Sequence, residues 1–382
     1  MVTLRLVLDR LLDPRPGGSR RYASNLAREI IARAPAGCDV QAILPKVPAE
    51  ELERFETEVP GLTGVTQGPL KHETLATSWR RGLLTGSVGG GFIHAMGLFA
   101  PVRDISLSYG IDQTVVTVGH TTAFRRPELL PPAEVKFQTA MLRRVHKYAS
   151  AVVAPTNAVA DELMDVYDFG DRLRVIGGAA DPAIRLPDDE AEGDRLARAM
   201  GLPDEYVITS ASVDPRKGLE HLLRAMTLPE MRDLRLVVVG RSERGDVTLE
   251  QLLVHAGLGP DRVVAVGQIS DQQLAVALQR ASALVVPSLE AGFGLPIVEA
   301  FRFGTPVIHS DVPALMEVGM DATIVVERGD LAGYPERIAH AVTSVVTDTG
   351  VERALRIAGR DRSGVYHWEF SADQVWTLHA DL

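Results

Sequence analysis

The stretch that decides the fold is "PSLEAGFGLPIVEAFRFGTPVI", which occupies residues 287–308. It completes the apolar run "ALVVP", which predicts a buried strand, and it contains the glycine turn "GFG" at 292–294. Pro296 suits the first turn of a helix, and Gly304 suits the cap at its C-terminal end. The stretch therefore predicts a strand, a glycine-rich turn and a helix whose N-terminal N–H groups can hold a phosphate.

The same alternation extends over the rest of the chain. Short runs rich in valine and isoleucine predict strands buried on both faces of a parallel sheet, and segments such as 20–34, 270–281 and 334–346 have helical periodicity. This order predicts an α/β, doubly wound fold. The pattern restarts at Tyr206, so we predict two Rossmann-like domains with a linker region at 175–200. Two such domains facing each other would form a cleft at the carboxyl ends of their strands.

Composition narrows the class of protein. Of the 382 residues, 46% are apolar and 24% are charged, and the net charge of −10 argues against a nucleic-acid partner. Cys38 is the one cysteine, which excludes an intrachain disulfide and a cysteine-based metal site. The beginning "MVTLRLVLDR" predicts a strand rather than a signal peptide, and we expect a cytoplasmic protein. Arginine clusters indicate at most a weak peripheral contact with an anionic membrane face.

Three further segments place functional groups directly after predicted strands. Arg216 and Lys217 follow "YVITS", where two cations can neutralise a diphosphate and stabilise a leaving group. Gly17 and Gly18 form a turn after the first strand. His120 follows "TVVTV", where it can bind a substrate or act as an acid or base. Each segment taken alone also fits a structural role, as a solvated basic turn, a simple loop and a packing histidine.

Two glutamates flank the glycine turn. Glu299 lies about one turn into the predicted helix, where its carboxylate can accept hydrogen bonds from a ribose diol next to the phosphates. In the alternative interpretation the turn serves packing and Glu299 is exposed to solvent. Glu290 precedes the turn, at the end of the predicted strand. The sequence alone therefore leaves open why two acids lie beside a turn that is suited to an anion.

Taken together, these segments resemble the family-4 retaining glycosyltransferases of the GT-B fold over nearly the whole chain. The resemblance is strongest in "SDQQLAVALQRASALVVPSLEAGFGLPIVEAFRFGTPVIHSDVPALMEV" at 270–318. "DPRKGLEHLLRAM" resembles the family branch whose loop reads Pro-Arg-Lys, and "HWEFSADQVW" resembles the terminal Trp-Glu helix. The resemblance implies an acceptor-binding domain at 1–185, a nucleotide-sugar-binding domain at 186–362 and a helix in 363–382 that packs back on the N-terminal domain.

The resemblance also implies the reaction, in which a hexosyltransferase moves a sugar from a GDP-, UDP- or dTDP-linked donor to a glycan or lipid-linked acceptor with retention. No cofactor and no metal are expected, because lysine, arginine and a helix dipole supply the positive charge. The branch often uses GDP-mannose or deoxysugar donors. The residues implied in catalysis are Lys217, Arg216, His120 and Glu290. The residues implied in donor binding are Gly17, Gly18, Arg216, Lys217, Gly292, Phe293, Gly294, Leu295, Pro296 and Glu299.

Three positions depart from the family's pattern. Aligned on "GFGLP", the family's first glutamate falls on Ala291, one position after Glu290. Ser212 stands where many members carry an arginine. Aligned on "RPE", the family's His-Asp pair falls on Gly119 and His120, and a shift of one residue would restore the histidine. Because these departures lie at sugar and acid–base positions, the alternative hypothesis is a catalytically impaired homologue that binds a nucleotide or glycan as a partner or regulatory subunit.

Overall fold

The chain consists of two compact units in a computed structural model that describes residues 2–13, 17–83, 91–104 and 112–382. The first unit comprises the described residues up to Gly178 together with His367–Leu382, and the second unit comprises Ala179–Tyr366. The sequence places the corresponding boundaries after residues 185 and 362. Each unit is built on a parallel sheet with helices between its strands.

The first unit contains a sheet of seven strands among the described residues, in the order β3-β2-β1-β4-β5-β6-β7. Its strands are β1 (Val2–Val7), β2 (Cys38–Leu44), β3 (Gly64–Gln67), β4 (Phe92–Ala95), β5 (Gln113–Thr117), β6 (Ala151–Ala154) and β7 (Leu173–Val175). Its helices before the second unit are α1 (Gly18–Ala32), α2 (Ala49–Glu58), α3 (His72–Arg80), α4 (Thr122–Arg125), α5 (Pro132–Tyr148) and α6 (Asn157–Val166).

The second unit contains a parallel sheet and a short antiparallel hairpin. Its strands are β8 (Tyr206–Thr209), β9 (Arg235–Val239), β10 (Glu243–Arg244), β11 (Val247–Thr248), β12 (Val263–Gly267), β13 (Ala283–Val286), β14 (Val307–Ser310) and β15 (Ile324–Val326). Its helices are α7 (Glu190–Ala199), α8 (Leu219–Ala225), α9 (Leu249–Ala256), α10 (Asp271–Arg280), α11 (Leu295–Phe303), α12 (Pro313–Gly319), α13 (Tyr334–Thr347) and α14 (Thr349–Ser363). The sheet order is β12-β9-β8-β13-β14-β15, and β10 pairs with β11.

The apolar runs form strands of the two sheets, as predicted, but the runs "VVAVG" and "TIVVE" form β12 and β15, which are the partly buried edge strands of the second sheet rather than strands buried on both faces. Every residue of β5, β8 and β13 is buried, which is what a strand covered by helices on both faces requires. The sequence did not indicate β3 or β7, whose residues are only partly buried or exposed. These two strands are the edges of the first sheet, so they lack the apolar run that marks a central strand.

Part of the stretch predicted as a linker is helical. Helix α7 (Glu190–Ala199) lies inside 175–200 and belongs to the second unit. The Asp189 carboxylate accepts a hydrogen bond from the N–H of Ala191 and so caps the helix. Only Gly193 and Ala197 are buried along it. The polar composition of this stretch is therefore that of a surface helix, which buries only a narrow strip of its surface.

The last helix, α15 (Trp368–Asp381), packs on α1 in the first unit. The Trp368 ring meets the Tyr22 ring edge to face, with centroids 5.4 Å apart. The indole N–H of Trp376 donates to the Ile30 carbonyl at 3.0 Å. These contacts tie the end of the chain to its first helix, although the two segments are far apart in sequence. Among the described residues, no helix combines the length and apolar composition needed to cross a bilayer.

In each sheet the chain order reverses at one point. The first unit builds outward from β1 through β2 to β3 and then from β4 in the other direction, so the reversal lies between β1 and β4. In the second unit it lies between β8 and β13. Ligands of open α/β sheets bind at the carboxyl ends of the strands beside such a reversal. Ligand-binding groups are therefore expected in the loops that follow these four strands.

Candidate functional site

The turn after β8 is shaped by one glycine. Asp214 begins a short 3-10 turn over Pro215–Lys217. Gly218 follows with a φ of 65°, in the left-handed region. A Cβ atom at Gly218 would lie 2.0 Å from the carbonyl oxygen of Pro287, which belongs to the loop after β13. Only glycine therefore lets the turn after β8 approach the loop after β13 this closely.

The charged side chains of this turn form a cluster. Nη2 of Arg216 donates to Oδ2 of Asp214 at 2.8 Å, and Nη1 of Arg244, on the hairpin, forms an ion pair with Oδ1 at 2.7 Å. Burial by itself would raise the pKa of Asp214, but the hydrogen bond from Arg216 and the two guanidinium charges outweigh it and lower that pKa. Burial lowers the pKa of the Lys217 ammonium; the Arg216 charge adds to this, and Asp214 opposes it.

The structure therefore brings Arg216 and Lys217 together on one turn, as the sequence predicts. It also shows that the Arg216 guanidinium is bound to Asp214, and it adds Arg244 to the cluster. The motifs of the sequence did not single out Arg244, because it lies in a two-residue strand outside all of them. A charged hairpin directly after a buried strand was the available signal.

The loop after β13 is held by hydrogen bonds on both sides. The N–H groups of Leu289 and Glu290 donate to the Arg216 carbonyl at 2.7 and 3.2 Å. Nη1 of Arg328 donates to the Leu289 carbonyl at 2.6 Å. A slip of one residue in this loop would break these hydrogen bonds. The backbone of Glu290, rather than that of Ala291, is therefore fixed beside the Pro-Arg-Lys turn.

The glycine turn leads into α11 as predicted. Gly294 is the N-cap residue with a φ of 99°, and a Cβ there would lie 2.7 Å from the Leu315 side chain. Pro296 lies in the first turn, and Gly304 ends the helix in the left-handed region. Gly294 has no side chain that could cap α11. Pro296 has no N–H and the Ile297 N–H donates to the Gly294 carbonyl at 2.9 Å, so an anion would meet the N–H groups of Gly294 and Leu295 and the positive end of the dipole.

Glu299 is buried on α11, with 4% of its surface exposed. The interpretation in which this residue is exposed to solvent is therefore wrong. Phe293 is also buried, and its ring meets the Tyr366 ring edge to face at 5.8 Å. Burying a carboxylate is costly unless it forms hydrogen bonds, so an acid at this position has a polar role rather than a packing role. The two glutamates thus differ, since Glu290 is only half-buried.

The remaining predicted positions lie in the first unit. Gly17 is the N-cap of α1 and Gly18 is its first residue, so the glycine pair begins a helix instead of forming a separate turn. Gly17 has no side chain that could cap this helix. His120 is half-buried in the loop between β5 and α4, and Gly119 beside it is exposed with open space around its α-carbon. In the described part of the chain, no three His, Cys, Asp or Glu side chains are arranged to hold a metal.

Comparisons with known proteins give the class. Residues 16–183 match the family model described as Glycosyltransferase Family 4, and residues 196–362 match the model described as Glycosyl transferases group 1. Sucrose-phosphate synthase from Thermosynechococcus elongatus has a similar fold, with a TM-score of 0.73 at 21% identity over 100% of this chain and 99% of that one. Anabaena HepE in complex with UDP-glucose gives a TM-score of 0.73 at 16% identity, covering 100% of both chains.

The fold and the matched models thus define a glycosyltransferase with two Rossmann-like domains of the GT-B type. Within that class, the two matched models, one over each half of the chain, support a family-4 glycosyltransferase. It is 28% identical over 59% of its length to the serotype-specific mannosyltransferase WbdA of Escherichia coli, but spans only 28% of that protein. It is 27% identical to the O-antigen chain mannosyltransferase B of Escherichia coli, over 70% of both chains.

Proposed function

We propose that the protein transfers a hexose from a nucleotide-diphosphate sugar to a hydroxyl of a glycan or lipid-linked acceptor, with retention of the anomeric configuration. One observation carries the proposal. The cationic turn after β8 is joined to the loop that leads into α11. The Arg216 carbonyl in the turn accepts hydrogen bonds from the N–H groups of Leu289 and Glu290 in that loop. This arrangement puts lysine, arginine and helix N–H groups at one sheet edge, where a diphosphate needs them.

The charges of the turn support this assignment. Burial lowers the pKa of Lys217, and the neighbouring Arg216 charge lowers it further. A diphosphate beside this ammonium would favour its charged form and would accept hydrogen bonds from it. Asp214 holds the guanidinium groups of Arg216 and Arg244 in place, so that the cations are preorganised before the leaving group develops charge. A lysine and two arginines would supply this charge without a metal ion.

Glu299 completes the donor site in this proposal. It lies about one turn from the N-terminus of α11, so a ribose attached to a diphosphate at that N-terminus would reach it. A carboxylate accepts two hydrogen bonds from a diol, and this recovers part of the cost of its burial. The acid therefore binds hydroxyl groups and not the phosphates, which explains why it is compatible with an anion site.

The decisive experiment is incubation with UDP-, GDP- and dTDP-linked sugars while released nucleoside diphosphate is measured. GDP-mannose and UDP-glucose are the first donors to test, because two of the relatives are named mannosyltransferases and HepE was crystallised with UDP-glucose. We expect release with transfer to an acceptor, and the same rate in the presence of a metal chelator. Nucleotide binding without release or transfer would instead support the impaired homologue.

Lys217→Ala is expected to lower kcat/KM for the donor by about 100-fold or more, because it removes a cation from the developing charge on the leaving group. The loss should appear both in donor affinity and in turnover. Arg224→Ala is the matched control, since this cation is exposed on the adjacent helix α8. Wild-type donor affinity and turnover in Lys217→Ala would show that the diphosphate is bound elsewhere.

Glu290→Ala is expected to lower kcat by about tenfold while leaving the affinity for the free nucleoside diphosphate unchanged. The physical reason is that the backbone of Glu290 is fixed beside the cationic turn. In this proposal its carboxylate would meet the donor sugar rather than the nucleotide. Ala291→Glu, tested in parallel, restores an acid at the family's position and should leave discrimination between donor sugars unchanged, because Glu290 already serves the sugar in this proposal; a gain in discrimination would mean that Glu290 points away from the site. An unchanged kcat for Glu290→Ala would mean that the protein works without this acid.

A further inference from the structure

A second cluster of polar and aromatic side chains lies at the other reversal of chain order, between β1 and β4. Asp9 follows β1, and Phe99 follows β4. His72 is the first residue of α3, which follows β3 at the same edge of the sheet. All three residues belong to the first unit, and none of them is part of the family motifs described above. Their position is the one at which open α/β sheets bind ligands.

Asp9 and His72 form a buried–exposed pair. Oδ2 of Asp9 lies 3.2 Å from Nε2 of His72; 5% of the Asp9 side chain is exposed, against 51% of the His72 side chain. Within the described ranges, Oδ1 of Asp9 is buried without a hydrogen-bond partner. A buried carboxylate with one strong partner holds the proton on the nitrogen that faces it. In the neutral ring, Nδ1 of His72 is then a hydrogen-bond acceptor.

The imidazole ring rests on a rigid apolar base. It stacks on the Phe99 ring with centroids 4.3 Å apart and an angle of 18° between the planes, and Phe99 in turn contacts the Trp79 ring at 4.4 Å. Phe99 and Trp79 are buried. The Trp79 indole N–H, like Oδ1 of Asp9, has no hydrogen-bond partner in the part of the chain that is described. The rings of Trp79, Phe99 and His72 thus form an aromatic column, and the half-exposed His72 ring is its outer end. The Asp9 carboxylate lies beside that end.

We propose that His72 binds a sugar ring of the glycosyl acceptor, with Nδ1 accepting a hydrogen bond from a hydroxyl and the imidazole packing against the sugar's C–H face. Asp9 is the positioning residue that fixes the His72 ring and its tautomer. This inference rests on the proposed function, because it assigns the acceptor class of the same reaction. A pyranose offers both features that the column selects, namely a hydroxyl donor and a flat apolar face.

The first test measures transfer from GDP-mannose to methyl α-mannopyranoside, methyl α-glucopyranoside and methyl α-galactopyranoside. His72→Ala should raise the KM for the glycosyl acceptor by about tenfold, the cost of one hydrogen bond and its packing, and leave GDP affinity and donor hydrolysis unchanged. His72→Gln should recover part of the loss, because its amide oxygen accepts a hydrogen bond. An unchanged KM in His72→Ala, or an equal loss of GDP affinity, would overturn the proposal.

His146→Ala is the matched control. His146 is also half-buried in the first unit, and it stacks on the Tyr167 ring at 4.8 Å with an angle of 15°. Its ring nitrogen contacts the Asp168 carbonyl instead of a carboxylate, and it lies near the end of α5. Its removal should leave the KM for the glycosyl acceptor at the wild-type value. A rise equal to that of His72→Ala would show that a stacked histidine acts only through stability.

The second test does not depend on turnover. Proton–nitrogen correlation spectra of the histidine rings should show His72 with its proton on Nε2, and Asp9→Asn should reduce that tautomer, because an amide can donate to Nε2. Adding the three methyl glycosides should shift the His72 ring signals more than those of His146. Absent shifts would overturn the acceptor assignment. If no donor releases its nucleotide, the proposed function fails, and this titration still decides the role of His72.

Discussion

Gly218→Ala is expected to abolish nucleotide-sugar binding and to lower the unfolding free energy of the second unit by about 3–4 kcal/mol. The left-handed φ of 65° costs about 1–2 kcal/mol for any residue with a Cβ. The added methyl group would also lie 2.0 Å from the Pro287 carbonyl oxygen, which is backbone and cannot rotate away. The two loops must therefore separate, which breaks the hydrogen bonds between Arg216 and the loop after β13.

Gly257→Ala separates the two causes. Gly257 also has a left-handed φ, of 74°, but nothing lies within 4 Å of a Cβ built there. We expect this control to lose about 1–2 kcal/mol from backbone strain alone and to bind nucleotide normally. Denaturant unfolding and calorimetric titration with a nucleoside diphosphate measure both quantities. Equal losses of stability in the two variants, with nucleotide binding kept in both, would show that the contact between the loops does not organise the site.

The first unit is expected to lose stability as the pH falls from about 6.5 to about 4, because of a buried histidine pair. Nε2 of His379, on α15, lies 3.4 Å from Nδ1 of His94 in β4, and its Nδ1 lies 3.3 Å from Oε1 of Gln113. Burial lowers the pKa of His379 to about 4. Burial and, secondarily, the charge of His379 also lower the pKa of His94.

The loss of stability at low pH follows from the protons that His379 takes up on unfolding. The unfolded chain binds a proton at His379 near pH 6.5, whereas the folded chain binds it only near pH 4. Unfolding is therefore favoured by protons throughout this interval, and the unfolding free energy falls by up to about 3 kcal/mol between its two ends. Above pH 6.5 the ring is neutral in both states, so its titration no longer affects stability.

His379→Gln should remove the part of this acid sensitivity that comes from His379, because a glutamine side chain keeps polar contacts but has no proton to gain; the part that comes from the buried His94 should remain. Hydrogen exchange of α15 (Trp368–Asp381) at pH 7.5 and pH 5 is the direct measurement. The ion pair between Arg33, at the end of α1, and Asp373, on α15, gives an internal reference, since the hydrogen bond from Arg33 lowers the pKa of Asp373 and keeps this carboxyl ionised over the interval. Unchanged protection of α15 in the wild type between these pH values would contradict the prediction.

Several secondary-structure elements of the second unit follow from residues that are close together in the sequence. The run "ALVVP", the glycine turn and the proline and glycine at the two ends of α11 each have a conformational meaning that does not depend on distant contacts, and the structure confirms each element. The same holds for α10, where the Ser270 hydroxyl and the Gln273 side chain form a capping box. Local chemistry of this kind can be read from neighbouring residues alone.

Other features depended on neighbours that are remote in sequence. The edge strands β3 and β7 have no strong pattern of their own and form because an adjacent strand presents its backbone. Ser371 is of a residue type that favours helix caps, and with Asp373 after it the sequence predicts that the last helix begins there. The helix begins at Trp368 instead, because Trp368 is buried against Tyr22. The Ser371 hydroxyl donates to the Gly177 carbonyl instead. Packing here overrides the local preference of a serine for a cap position.

By itself, the sequence determined two doubly wound α/β domains, the strand–turn–helix at 283–304 and the resemblance to family-4 glycosyltransferases, because periodicity, turn residues and motif order are local properties. The tertiary structure decided that Glu299 is buried, that the backbone of Glu290 is fixed against Arg216 and that Arg244 joins the cationic cluster. It also brought together Asp9, His72 and Phe99, which lie in segments that follow three different strands. Burial and pairing across strands depend on which distant segments meet, and the order of residues along the chain does not encode that in any local pattern.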